Sequence, residues 1–206
     1  MKKCPYCGAH GNFYFKISSR TYNCCSGCDL IYKENQDSYD NVVAYYRDDY
    51  FSRYSDDQVG GKRHRLFGRI LDLIEKRIDT GRLLDIGTGC GVFLAAAQKR
   101  GWKVSGIEPS IQSVEVAQRQ YGLDIYNGTL QEYNENDNFD VITFINVLDH
   151  SVEPWKEISR ARLLLKPEGV LFLRFPNGLF HSFLFNVSKK LNIERTVARF
   201  LVLHEL

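Results

Sequence analysis

The 206-residue chain has no long hydrophobic run and little net charge. Its apolar stretches have the length of single strands or helix faces, well short of the ~20 consecutive apolar residues that a membrane span requires, so no membrane segment is expected. With 27 basic and 25 acidic residues, the formal net charge of +2 indicates no strongly acidic or basic partner. The sequence also lacks a secretory signal before its first cysteines. These absences favour a cytoplasmic globular protein in two parts.

A glycine-rich segment at residues 83–91, LLDIGTGCG, is the most informative part of the sequence. Its apolar beginning predicts a buried strand, and the apolar residues that follow it predict a helix. Gly87, Gly89 and Gly91 stand at alternate positions, where they let the backbone turn tightly and pass close to a ligand. A dinucleotide fold would show Gly-x-Gly-x-x-Gly, and here the third glycine comes one residue early. The segment therefore predicts a cofactor loop without the pyrophosphate fingerprint.

Two carboxylates accompany this loop. Asp85 lies two residues before Gly87, where it would repel a phosphate and hold an ammonium group. Glu108 ends a second predicted strand at 103–108, about 20 residues after the glycines, which is the spacing at which such folds bind ribose hydroxyls. Together the loop and the two acids predict a cationic adenosine ligand.

With these residues the chain resembles the class I S-adenosylmethionine-dependent methyltransferases, which carry an Asp-x-Gly-x-Gly-x-Gly loop and an acidic end to the second strand. Residues 139–150 are similar to the fourth-strand motif of the small-molecule members, and residues 163–175 to the turn into the fifth strand. The resemblance covers roughly residues 81–177. It implies S-adenosylmethionine as cofactor, held by Asp85, Gly87, Thr88, Gly89, Gly91, Glu108, Pro109, Thr129, Leu130 and Asn146.

The alternation of predicted strands and helices gives the same fold, an α/β architecture with a Rossmann-like, doubly wound, mainly parallel sheet. Strands are predicted at 82–86, 103–108, 123–127, 139–145 and 169–175, and helices at 91–100, 110–121 and 154–164. Asp149 stands where the family has glutamate, and Thr129 stands where the family commonly has an acid that meets the adenine amino group. From the sequence we expect the C-terminal antiparallel hairpin of the family to be missing.

Two Cys-x-x-Cys pairs near the N-terminus predict a metal site. The expected ligands are Cys4, Cys7, Cys25 and Cys28, because four thiolates at this spacing suit tetrahedral zinc and leave no open position for chemistry. Cys24 would replace Cys25 if the register shifted by one residue. Disulfides are the competing interpretation, which the missing secretory signal disfavours. A ribbon of about 35 residues cannot bury a useful core, so we expect zinc to supply its folding energy.

The predicted domains are a zinc ribbon at 1–35, a helical linker and cover at 36–80, the S-adenosylmethionine-binding core at 81–176 and a helical lid-like segment at 177–206. In the cover, a helix over 62–78 is expected to pack through Leu66, Ile70, Leu73 and Ile74, which recur at helical spacing. The apolar faces of the last segment and an unpaired sheet edge favour self-association at that end.

Methyl transfer to a small molecule is the function that the resemblance favours, with a sugar or glycan precursor as the first expected acceptor. His150, just after the fourth strand, is the candidate general base for a hydroxyl acceptor, and the alternative is that it only lines the pocket. An RNA methyltransferase that docks RNA through the ribbon is a second interpretation. Residues 146–149, NVLD, disfavour it because enzymes acting on base nitrogens often show Asn/Asp-Pro-Pro-aromatic there. A non-catalytic binding module is the third.

Overall fold

The computed structural model describes residues 3–17, 20–34, 37–48, 51–52, 63–134 and 138–175. The chain divides into two compact units, and the second of them is Ser38–Phe175. The lid-like helices expected at 177–206, and the hairpin and self-association considered for that end, lie outside the described residues. No helix in the described ranges is both long and apolar enough to cross a membrane.

The first unit contains a three-stranded antiparallel sheet in the order β1-β2-β3, which we call the cysteine sheet together with its loops from residue 3 to residue 34. The strands are β1 Gly11–Ile17, β2 Arg20–Cys25 and β3 Ile31–Lys33. The rings of Phe15 and Tyr22 face each other across β1 and β2 and stack with centroids 4.7 Å apart. The buried core consists of Cys4, Cys25 and Tyr32, so little apolar area stabilises this sheet.

The second unit is built on a five-stranded sheet in the order β6-β5-β4-β7-β8. The strands are β4 Arg82–Ile86, β5 Lys103–Glu108, β6 Ile125–Asn127, β7 Phe139–Ile145 and β8 Leu165–Arg174. Every neighbouring pair is parallel, which confirms the predicted doubly wound α/β sheet. The strand order reverses between β4 and β7, so a crevice opens there at the carboxyl ends of the strands, the place where open α/β sheets bind ligands.

Helices pack on both faces of this sheet. Their bounds are α1 Tyr39–Asp48, α2 His64–Glu75, α3 Val92–Lys99, α4 Ile111–Tyr121 and α5 Pro154–Leu164. Residues of α2, α3 and α4 form one buried cluster with Leu83 and Val141, and residues of α5 form another with Leu84 and Phe144. Because β4 and β7 are buried on both faces, their sequences are near-continuous apolar runs.

The predicted bounds of β4, β5, β7 and α5 agree with the structure. The third predicted strand begins at Ile125 instead of residue 123. The last one begins at Leu165 instead of residue 169, because Leu165 pairs with Phe139 before an irregularity shifts the register of β7 and β8. The earlier start of β8 was not foreseen because Pro167 and Gly169 indicate a turn when they are considered locally.

The predicted packing of the cover helix is wrong at one position. Leu73 of α2 is 55% exposed. The side chains that α2 buries recur at spacings of three and four residues, which defines a narrower stripe that excludes Leu73. These buried residues are Phe67, Ile70, Leu71 and Ile74.

Candidate cofactor site and cysteine cluster

The candidate cofactor residues lie at the carboxyl edge of the parallel sheet. We define this edge by the ends of β4, β5, β7 and β8. Asp85 lies near the end of β4, Glu108 ends β5, and Asn146 follows β7. Adjacent strands are about 4.8 Å apart, so three positions that are distant in sequence come close together in space. The structure thus places the predicted acids beside the crevice at which the strand order reverses.

Asp85 borders the crevice directly. It pairs in register with Thr143 of β7, and the Thr143 hydroxyl donates a hydrogen bond of 2.6 Å to Asp85 Oδ1. Burial raises the pKa of Asp85 to about 7, the Thr143 and Thr88 hydroxyls oppose that rise, and the charge of Glu108 adds to it. A positive ligand group would stabilise the ionised form of this buried carboxylate. The sequence analysis did not identify Thr143, since no local pattern marks it.

Glu108 holds the cofactor loop through both carboxylate oxygens. One oxygen accepts the Gly89 N–H at 2.8 Å, and the other accepts the Ser110 N–H at 3.0 Å. Burial raises the pKa of Glu108 to about 7, while these two backbone donors lower it. Each oxygen keeps a second lone pair that a ligand hydroxyl can use. Glu108 therefore joins the glycine loop to the start of α4, a role that the sequence did not indicate.

The glycine loop has a backbone that side chains disfavour. Gly87, Gly89 and Gly91 have φ angles of 67°, 57° and 76°. A Cβ atom at Gly91 would lie 2.6 Å from Leu123 Cδ1, so this position also has no room for a side chain. The buried hydroxyl of Thr88 faces Asp85 and lowers the pKa of that carboxyl against the effect of burial. A buried hydroxyl beside the Asp85 carboxylate, in a loop of this shape, fits a polar ligand group.

The turn after β6 contains an acid that the sequence analysis missed. The backbone N–H and the hydroxyl of Thr129 donate to Glu132 at 2.7 Å and 3.0 Å. Glu132 also binds Arg47 of α1 at 2.8 Å, and the Thr129 and Arg47 donors hold its pKa below the usual value. This turn thus contains a carboxylate three residues after Thr129, the position at which the related family commonly has an acid. The available signal was the Thr-x-x-Glu spacing, which pairs a hydroxyl and a carboxylate reciprocally in turns.

Pro109 and Leu130, two further predicted cofactor residues, lie in the turns that follow β5 and β6. The side-chain amide of Asn127 donates to the carbonyls of Glu108 and Pro109 at 3.0 Å and 3.1 Å. Leu130 is buried in the cluster beneath α5. Pro109 therefore has a fixed carbonyl at the end of β5, and Leu130 offers an apolar anchor for the turn.

The residues after β7 form the other side of the crevice. Asn146 has a φ of 58°, and its backbone N–H donates to the Arg174 carbonyl at 2.8 Å. The Arg174 guanidinium donates to the side-chain oxygen of Asn146. His150 Nε2 lies 3.5 Å from Asp149 Oδ2, and the His150 ring lies 6.3 Å from the Tyr46 ring of α1. An imidazole next to a carboxylate can accept and hold a proton.

The four predicted zinc ligands converge in the cysteine sheet. The Sγ atoms of Cys4, Cys7, Cys25 and Cys28 all lie within 4.8 Å of one another. Three of the separations are 3.8, 3.4 and 3.5 Å. A zinc ion with four Zn–S bonds of about 2.3 Å places the sulfurs about 3.8 Å apart, so the cluster has the size of a zinc site.

The two cysteine pairs have matching local geometry. The residue after the second cysteine of each pair has a positive φ, 75° at Gly8 and 57° at Asp29. The first cysteine accepts a backbone hydrogen bond in each loop, from Gly8 to Cys4 at 3.0 Å and from Asp29 to Cys25 at 3.1 Å. Cys24 lies outside the cluster, with its Sγ 3.8 Å from the Asp29 carbonyl. All four clustered cysteines are free thiols.

Known proteins match this chain in sequence. A family model described as a methyltransferase domain matches residues 59–194. A ubiquinone biosynthesis O-methyltransferase of Histophilus somni (strain 2336) is 35% identical over 112 residues, which are 49% of this chain and 47% of the relative. Its counterpart in Actinobacillus pleuropneumoniae serotype 5b (strain L20) is 28% identical over 139 residues, 62% of this chain and 54% of the relative. The chain thus spans about half the length of these curated relatives.

Solved structures share the fold at lower identity. The plantazolicin methyltransferase BpumL in complex with SAH has a TM-score of 0.57 at 16% identity, over 74% of this chain and 64% of that chain. The DhpI–SAH complex has a TM-score of 0.53 at 18% identity, over 65% of this chain and 67% of that chain. At these identities the likeness establishes the architecture and nothing finer.

Proposed function

This chain belongs to the methyltransferase domain family, as a class I S-adenosylmethionine-dependent member, and we propose that it transfers a methyl group from S-adenosylmethionine to a hydroxyl of a small molecule. The observation that carries the proposal is the pair of buried acids, Asp85 and Glu108, beside a glycine loop with left-handed backbone. Burial raises the pKa of both acids to about 7, which means that their ionised forms destabilise the fold. A ligand that binds both carboxylates explains why the protein contains such a pair.

The residues of the carboxyl edge fit the donor. When bound, S-adenosylmethionine supplies an electrophilic methyl group on a sulfonium. We assign Asp85 to its ammonium group and Glu108 to its ribose hydroxyls, which the free lone pairs of Glu108 can accept. The buried Thr88 hydroxyl supplies a further polar contact in the loop. The other proposed contacts are Gly87, Gly89 and Gly91 in the loop, Pro109, Thr129 and Leu130 on the adenine side, and Asn146 on the methyl side.

His150 is the proposed general base. With the donor bound at the residues assigned above, the acceptor oxygen would take the methyl group while the donor sulfur keeps the electron pair of the broken S–C bond. The hydroxyl proton would move to the His150 imidazole, and the Asp149 carboxylate 3.5 Å away would stabilise the cation that forms. The names of the curated relatives, O-methyltransferases, support an oxygen acceptor. Those relatives give no support to a sugar acceptor. A phenolic hydroxyl, with a pKa of about 10, also transfers its proton to an imidazole base more readily than a sugar hydroxyl does.

A methyl-transfer assay with methyl-labelled S-adenosylmethionine tests this function. Catechol, glucose and bulk RNA are offered in separate reactions, with Asp85→Asn as the control that removes the donor site. We expect label in catechol only, and its loss in the variant. Label in glucose alone would restore the sugar acceptor, and label in RNA alone would favour the RNA-docking interpretation. Donor binding without transfer to any of the three would contradict the proposal.

For the cysteine cluster we propose one structural Zn²⁺. The four thiols supply a complete tetrahedral shell, so this ion would have no open position for substrate. Its expected contribution is folding free energy for the cysteine sheet, whose buried apolar core consists of three residues. Chelation should therefore disorder this sheet, as measured by the loss of amide-proton protection in β1–β3.

A further inference from the structure

A hydrogen bond joins the two strands that border the crevice. The Thr143 hydroxyl on β7 donates to Asp85 Oδ1 on β4 at 2.6 Å, and the two residues pair in register. Thr143 is 0% exposed and Asp85 is 3% exposed. The bond therefore crosses the point at which the strand order reverses, and it is shielded from water.

The fold of β7 does not require this hydroxyl. A valine has nearly the shape of threonine and is equally suited to a buried strand. A buried hydroxyl is tolerated only when it is hydrogen-bonded, and the other acceptor near Thr143 Oγ1 is the Leu84 carbonyl at the longer distance of 3.4 Å. The short bond to Asp85 is thus the interaction that distinguishes threonine from valine at this position.

Burial and a neighbouring acid favour the neutral form of Asp85. Burial raises the pKa of Asp85 to about 7, and Glu108 on the adjacent strand β5 adds a like charge that raises it further. The Thr143 hydroxyl, and to a smaller extent the Thr88 hydroxyl, opposes both effects on the pKa, since a hydrogen bond donated to a carboxylate stabilises its ionised form. Removing the Thr143 donor should make Asp85 keep its proton to higher pH.

We propose that Thr143 is a positioning residue that keeps Asp85 ionised and oriented toward the ammonium group of S-adenosylmethionine. The inference rests on the proposed function, because it assigns that ammonium group to Asp85. Thr143 itself does not touch the ligand in this account. Its effect on binding passes through the charge of the Asp85 carboxylate, since a protonated carboxyl attracts an ammonium group only weakly.

Calorimetric titration of S-adenosylmethionine at pH 6, 7, 8 and 9 tests the proposal in the wild type, Thr143→Val and Thr143→Ser. We expect the pKa of Asp85 to be about one unit higher in Thr143→Val than in the wild type. The dissociation constant of the variant should then be about tenfold larger than that of the wild type at pH 6, and the two constants should be about equal at pH 9. Both proteins bind the same ligand, so this ratio cancels the titration of the ligand's own amine. Thr143→Ser keeps the hydroxyl and should resemble the wild type throughout.

A ligand-free measurement separates this inference from the proposed function. The Asp85 carboxyl is titrated by carbon NMR in the wild type and in Thr143→Val, and its midpoint should rise by about one unit in the variant. A wild type that binds no S-adenosylmethionine would overturn the proposed function, and the NMR midpoint would still decide whether Thr143 controls Asp85. Equal affinities with an unchanged midpoint would overturn the inference. A loss of affinity that is independent of pH would also overturn it, because packing would then be the cause.

Discussion

The cysteine sheet and the parallel sheet are stabilised by different means. The cysteine sheet has a buried core of three residues and four thiols that converge on one point. The parallel sheet has an apolar cluster on each face. Its buried polar side chains are concentrated at the carboxyl edge and in the loops and helix starts beside it: Asp85, Thr88, Glu108, Ser110, Ser113 and Thr143.

This difference indicates that the stability of each sheet is related in a different way to the ligand that we propose for it. In the cysteine sheet the proposed ion supplies free energy that the small core cannot supply, so ligand and fold are gained together. In the parallel sheet the core is large enough to tolerate buried acids, so the ligand site is present before the ligand and lowers the stability of the free protein. The following changes test the two relationships, from the largest expected effect to the smallest.

Removal of one thiol should abolish metal binding. We expect the wild type to hold one zinc per chain and Cys25→Ser to hold none, with loss of amide protection in β1–β3, because three sulfurs leave the shell incomplete. Cys24→Ser is the matched control, since Cys24 lies beside the cluster without joining it. Metal analysis and hydrogen exchange measure both. Zinc retained by Cys25→Ser but lost by Cys24→Ser would show that the ligand register is wrong.

A side chain at Gly91 should destabilise the parallel sheet without affecting zinc. The φ of 76° is strained for alanine, and the added Cβ would lie 2.6 Å from Leu123 Cδ1 and 3.0 Å from Ala117 Cβ. We expect Gly91→Ala to lower the free energy of unfolding by about 3 kcal/mol. Gly101→Ala is the control, with a φ of 93° and open space around it, and should cost about 1 kcal/mol. Equal losses in urea unfolding would show that close packing at Gly91 has no part in the effect.

Asp85→Asn should stabilise the free protein above neutral pH. The folded-state pKa of Asp85 is raised to about 7 from 3.8, so between these values the folded state binds more protons than the unfolded chain, and stability falls as pH rises through that window. Asparagine removes this penalty and keeps an acceptor for Thr143.

At pH 8 we expect Asp85→Asn to be more stable than the wild type by about 1–3 kcal/mol, and at pH 4 the two should be nearly equal. Thermal and urea unfolding at the two pH values measure the difference. A variant less stable than the wild type at pH 8 would show that Asp85 supports the fold instead of burdening it.

Surface ion pairs should have the smallest effects, and similar ones in both units. Lys33 binds Asp37 at 2.9 Å in the first unit, and Arg47 binds Glu132 at 2.8 Å in the second. Exposed pairs of this kind contribute about 0.2–1 kcal/mol, so Lys33→Gln and Arg47→Gln should each change stability by no more than that. A much larger loss in Arg47→Gln would show that α1 depends on this pair.

Sequence patterns located the elements whose signals are local. The strands β4, β5 and β7 were predicted with their observed bounds because each ends at or just before a polar or glycine residue: Gly87, Glu108 and Asn146. The Cys-x-x-Cys spacing is also a local signal, and it identified the cysteine cluster. The separation of Cys25 from Cys24 follows from the strand, because successive side chains point to opposite faces, and Cys25 is the one buried at 1% exposure.

The unpredicted features depend on contacts between distant segments. The bond from Thr143 to Asp85 joins residues 58 positions apart, and it exists only because β4 and β7 become neighbours in one register. The bonds from Glu108 to the glycine loop require the loop to fold back over the end of β5. No local periodicity encodes either contact. The sequence therefore identified Asp85 and Glu108 as site residues without indicating which groups form hydrogen bonds with them.

Titration of S-adenosylmethionine into the purified chain at pH 7.5, compared with Asp85→Asn, tests the central claim most directly. The account predicts saturable binding at one site in the wild type and at least tenfold weaker binding in a variant that remains folded, since an ammonium group loses its buried carboxylate. Equal affinity in both proteins would contradict the assignment of Asp85, and absence of binding in both would contradict a donor site at the carboxyl edge of the sheet.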